Sequence, residues 1–130
     1  MAVGCSQGGS STAAGVVEYK KLRAMSILYS EYLGEHRDQA PADEKSFRAY
    51  LETKQDQLTQ SNLTVDEMFK SPRGGALTWV YGRTPPTGPL GTYLGYEQSP
   101  VDGKRLVIAN LGMYEEVDEA KFRNIFPNAR

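Results

Sequence analysis

The spacing of apolar residues changes from steps of three and four in the first half of the chain to steps of two in the second, and that change restricts the class of fold. From Val16 to about His36, residues Val16, Tyr19, Leu22, Met25, Tyr29, Tyr32 or Leu33 and His36 fall on one face of a long amphipathic helix. Gly34 and Arg37-Asp38 weaken its end, and Pro41 prevents continuation. A second helix, shorter and more peripheral, starts near Asp43. In DEKSFRAYLETKQDQL the residues Phe47, Tyr50, Leu51 and Leu58 share a face, Asp43 caps the first turn and Lys54 sits toward the end. Thr64 precedes Glu67 by three residues in TVDEMF, a reciprocal capping pattern that predicts one or two helical turns before Ser71-Pro72.

Period two begins after that. Leu77, Trp79 and Tyr81 alternate with Thr78, Val80 and Gly82, and Thr92, Leu94 and Tyr96 alternate with Tyr93, Gly95 and Glu97, both as half-buried strands. KRLVIAN, from Lys104 to Asn110, has a continuous apolar centre and belongs inside the sheet. Asp102-Gly103 supplies a hairpin turn before it. Leu111-Gly112 turns the chain into Met113 to Val117, and VDEAKF, from Val117 to Phe122, reuses the helix-start pattern. Three prolines, Pro85, Pro86 and Pro89, stiffen the connection from Arg83 to Gly91 and place it at a sheet edge. Helices first and strands grouped afterwards imply an α+β domain: a long N-terminal amphipathic helix and a second helix packed on a three- to four-stranded antiparallel sheet, with a short C-terminal helix. Leu22, Met25 and Tyr29 are expected to pack under Trp79, Leu106 and Ile108.

The chain divides into a tail, residues 1–15, and one domain, residues 16–130. SQGGSSTAAG, from Ser6 to Gly15, is entirely small or polar, and the first charge is Glu18. Such a stretch has no apolar area to bury and reads as a tether. The chain's single cysteine, Cys5, stands just before it. Val3-Gly4-Cys5 resembles the end of a bacterial lipobox, with Ala2 where that motif usually carries leucine. The resemblance implies acylation of Cys5, a signal peptide removed upstream, and a lipid-anchored position in the cell envelope, facing the periplasm or the outer surface. Without an upstream signal, the same tail belongs to a cytoplasmic protein with an idle thiol.

Fifteen basic and sixteen acidic residues are scattered along the chain, so nothing in it matches the charge of a nucleic-acid backbone. One histidine and one cysteine make neither a metal-ligand set nor a Cys/His pair, and no metal or cofactor is expected. His36, beside Glu35 and Asp38, reads as a histidine near a helix end rather than a base. The acidic cluster Glu115-Glu116 and Asp118-Glu119 sits on a strand whose adjacent residues face opposite ways, which is unsuited to paired-carboxylate chemistry. The most site-like stretch is Ser71-Pro72-Arg73-Gly74-Gly75, where Gly74-Gly75 permits a concave run of backbone N–H groups and Arg73 offers a cation to an anion or ligand. Its plainer reading is a glycine turn feeding the Leu77 strand. Trp79 and nearby tyrosines read either as a ligand-stacking shelf or, more often, as the covered face of a sheet.

LTVDEMFKSPRGG and YLGYEQSPVDGKRLVIANLGMYEEVDEAKF, within Leu63 to Phe122, resemble a family of small lipoprotein-like envelope proteins of planctomycete bacteria. That resemblance implies an envelope protein and brings no catalytic residues with it. The order of long helix and antiparallel sheet is also similar, more loosely, to the soluble heads of pilin-like type II secretion proteins. The expectation is a non-enzymatic, lipid-tethered binding or structural module with an envelope partner. Its rival is a small hydrolase or transferase with an anion site at Arg73, working with Glu97 and Glu115.

Overall fold

The structure, a computed structural model, describes residues 21–129. The tail, Cys5 and the expected helix start at Val16 lie outside the described residues. Helix α1 covers residues 21–35 and buries Leu22, Met25, Leu28, Tyr29 and Leu33, the stripe expected from their spacing. It stops in a turn in which the Asp38 N–H donates to the Leu33 carbonyl at 2.7 Å while Arg37 and Asp38 take φ of 57° and 63°.

Helix α2, Glu44–Glu52, starts where Asp43 accepts from the Ser46 N–H, and it buries Phe47 and Leu51. The second helix does not run unbroken to Leu58. Thr53 donates its hydroxyl back to the Tyr50 carbonyl at 2.6 Å, and Lys54 leaves helical geometry, so a separate short α3, Gln55–Gln60, carries Leu58 into the core. Thr64 and Glu67 form the reciprocal cap as expected: the Thr64 N–H donates to Glu67 at 3.0 Å and the Glu67 N–H to the Thr64 hydroxyl at 3.2 Å. What they cap is a single 3₁₀ turn, Asp66–Phe69.

The strands are β1 Leu77–Trp79, β2 Thr87–Gly88, β3 Gly91–Glu97, β4 Lys104–Ala109 and β5 Tyr114–Asp118, followed by helix α4, Glu119–Ile125. All pairings are antiparallel in the order β1-β3-β4-β5, with the short β2 against β3. The sheet therefore has one short strand more than expected, and β1 stops at Trp79 without reaching Tyr81. Asp102 and Gly103, at φ 53° and 78°, make the tight turn into β4.

Register assigns the two faces. Trp79 lies opposite Gly95, and Gly95 opposite Ile108, so these residues share one face with Leu77, Glu97 and Leu106. Helices α1 and α2 cover that face: Tyr29 stacks on Trp79 at 5.4 Å and Phe47 meets both rings edge-on. Leu22, Met25, Leu106 and Ile108 are buried in the same core. Glycine is required at position 95, because a Cβ there would stand 2.8 Å from the Thr78 carbonyl and 2.9 Å from the Trp79 ring. On the other face Tyr96 packs against Phe122 and Phe126 of the C-terminal segment. The inner strands β3 and β4 are consequently buried on both sides.

Leu106 is fully buried on β4, and Leu106→Ala is expected to cost about 2–5 kcal/mol in chemical denaturation. Leu111 is the converse case: it is 68 % exposed and holds a left-handed φ of 61°, a conformation that costs an L-residue roughly 1–2 kcal/mol. Leu111→Gly is expected to raise stability by about 0.5–1 kcal/mol; a drop in the urea midpoint would show that the turn is held by the leucine side chain.

Candidate functional site

The loop singled out in the sequence folds into a narrow hairpin leading to β1. The Ser71 N–H donates to the Gly75 carbonyl at 2.7 Å and the Gly74 N–H to the Ser71 carbonyl at 2.9 Å, with Gly74 at φ 101°. This turn carries Arg73 across the sheet to Glu97, the last residue of β3, whose side chain is only 1 % exposed. Both Nε and a terminal nitrogen of Arg73 reach the Glu97 carboxylate. The second terminal nitrogen reaches Glu116, and the one bound to Glu97 also donates to the Lys104 carbonyl at 3.2 Å.

Glu97 accepts two further bonds, from the Ser71 hydroxyl at 2.6 Å and from the Leu106 N–H at 2.8 Å. Burial pushes its carboxyl up, but the Arg73, Ser71 and Leu106 donors and the guanidinium charge outweigh that and hold it below the ordinary glutamate value. The Arg73 guanidinium is thus spanned by two carboxylates of the same chain. An incoming anion has to displace one of them.

The grouping of Arg73, Glu97 and Glu115 is realised only in part. Arg73 and Glu97 meet, whereas Glu115 lies on the opposite face and pairs with Lys121 at 2.8 Å. Leu106 stands opposite Glu116 in the β4–β5 ladder, so Glu116, one residue on, shares the face of Glu97. Alternation along β5 was the signal for this, and it needed the register with Leu106 to be decisive.

The remaining sites take structural places. Trp79 is buried and donates its indole N–H to the Met68 carbonyl at 2.7 Å, so it is a core ring and not a shelf. His36 is exposed just past α1, donating Nδ1–H to the Tyr32 carbonyl and stacking on the Tyr32 ring at 3.8 Å. Unforeseen in the sequence is a second arginine clamp on the α4 face. Arg105 grips Glu119 with two nitrogens, donates to the Glu97 and Gln98 carbonyls and lies 4.2 Å over the Phe122 ring.

Among the described residues no His, Cys, Asp and Glu cluster has metal-ligand geometry, and no helix is long and apolar enough to cross a membrane. Comparisons with protein-family models, curated proteins and solved structures give no match.

A carboxylate held below its unfolded-state pKa stabilises the fold above that value and loses the contribution as pH falls through the folded value. Glu97→Gln removes the buried charge and weakens the bonds from Arg73, Ser71 and the Leu106 N–H, while Arg73 keeps Glu116, so a loss of about 1–3 kcal/mol is expected at neutral pH. The acid limb of the stability profile, from about pH 5 downward, should also become shallower in the variant. Urea titrations across that range check both; an unchanged profile would mean that Glu97 is already neutral in the fold.

Proposed function

We propose that this chain is a non-enzymatic binding or structural module of the bacterial cell envelope, tethered to a membrane by lipid on Cys5. The observation that carries the reading is Val3-Gly4-Cys5 followed by a charge-free run of small residues, Ser6 to Gly15, immediately before the amphipathic helix pattern. Acyl chains contribute about 0.8 kcal/mol per buried methylene, and stable anchoring takes more than one chain, which a bacterial lipoprotein cysteine supplies.

The arrangement around Arg73 adds support from the folded part. Its two carboxylate partners and the Ser71 hydroxyl tie β1, β3, β4 and β5 together, a use for the loop that asks no substrate of it. The rival, an anion-binding hydrolase or transferase at Arg73, has to release the buried Glu97 to work.

The test is metabolic labelling with a fatty-acid probe in a bacterial host that expresses the gene with its native upstream region. Incorporation and membrane fractionation are expected for the wild type, and loss of both for Cys5→Ser. A protein found in the soluble fraction without label in both cases would end the anchor reading.

A further inference from the structure

Beyond the end of α1 the chain leaves a cleft of about 380 Å³ between that helix, the 83–90 connection and β3. Its volume falls in the range of about 300–1,000 Å³ typical of small-molecule sites. Two features of the helical wall have no structural use. The Ser30 hydroxyl oxygen is buried and has no hydrogen-bond partner among the described residues. Gly34, one turn on from Ser30, sits within the last turn of the helix, where glycine is unfavourable.

Neither of the usual reasons for glycine applies at position 34. The left-handed positions of the helix end are taken by Arg37 and Asp38, which gain nothing from it, and a Cβ on Gly34 would meet no atom of the described residues within 4 Å. What its hydrogen preserves is open space against the backbone at the cleft.

The opposite wall selects the chemistry. Thr84, Thr87 and Thr92 line it, and Asn110 accepts the Thr92 N–H through Oδ1, which leaves its amide nitrogen as a donor. Leu33, Leu94 and Pro85 form an apolar floor. Among the described residues Asp38 is the one charged side chain on the lining, so an anion is disfavoured. A wholly apolar ligand would leave the Ser30 hydroxyl stranded. A flat aromatic ligand finds no ring to stack on.

We infer that this cleft binds a neutral carbohydrate ring, with ligand hydroxyls exchanging hydrogen bonds with Ser30, the wall threonines and Asn110, and an apolar ring face over Leu94 and Pro85. The inference rests on the reading of the chain as an envelope binding module and names its ligand class. Its test does not involve the lipid anchor, so either can fail alone.

The experiment titrates the ¹⁵N-labelled full chain, unacylated, with glucose, N-acetylglucosamine and, as a charged comparison, ethanolamine, following backbone amide shifts. At least one sugar is expected to give saturable shifts centred on Gly34, Thr92 and Asn110, with millimolar affinity. Gly34→Gln projects a side chain into the open space, and it should weaken that binding at least about tenfold while keeping an equal or higher melting temperature, because glutamine is the better helix former. Ser30→Ala should weaken binding without unfolding the chain. The proposal is overturned by an absence of saturable sugar shifts at tens of millimolar, by equal binding in Gly34→Gln, or by saturation with ethanolamine alone.

Discussion

A single buried carboxylate, that of Glu97, sets the register on which the sheet depends. The backbone pairing of β3 with β4 runs to Tyr96 and Val107. Beyond that, side chains do what a ladder would do: Glu97 accepts the Leu106 N–H, and Arg105 donates to the Glu97 carbonyl. A charge this deep is tolerable only because every approach to it carries a donor, and removal of one donor leaves the rest of the desolvation cost unopposed. Apolar residues of equal volume could fill the same space with similar stability. They would not distinguish one register from the next, and for two inner strands buried on both faces a slip of one residue exchanges every side chain between the helix layers.

The two arginines act as paired clamps on the two faces. Arg73 works on the α1 face, joining the 71–75 hairpin to β3 and β5 through Glu97 and Glu116. Arg105 works on the other, joining β4 and the end of β3 to α4 through Glu119, with its plane on Phe122. A slip of β5 would present Glu115 to Arg73, and would also take Glu115 away from Lys121. The acidic run Glu115-Glu116, which looks redundant as a string, is thus two opposite assignments on adjacent residues. Their ion pairs on the exposed side contribute little stability each, but they disfavour the alternative pairing.

Local order was readable where a short stretch settles its own geometry. The Thr64–Glu67 cap, the Asp43 cap and the Asp102-Gly103 turn depend on side chains within three residues of the groups they satisfy, and all three form. The break of the second helix was missed because Thr53 is compatible with a helix by propensity; its hydroxyl bond to Tyr50 is what competes. Glu116 in place of Glu115 turned on a strand register that no short window contains. The cleft was the least legible feature. Its walls come from residues 30–38 and 84–110, which no spacing rule brings together, and its clearest sign in the sequence, Gly34, reads in isolation as a weakened helix end.

The position of the cleft follows from how α1 meets the turn after β4. Helix α1 covers residues 21–35 and rises about 1.5 Å per residue, so Gly34 lies roughly 20 Å along it from residue 21. The Gly112 turn packs against Arg23 near that first end, while Asn110, two residues earlier, lines the cleft. The 110–112 turn therefore links the first described turn of α1 to the lining of the cleft, so the geometry of the cleft is set by the packing of α1 on that turn.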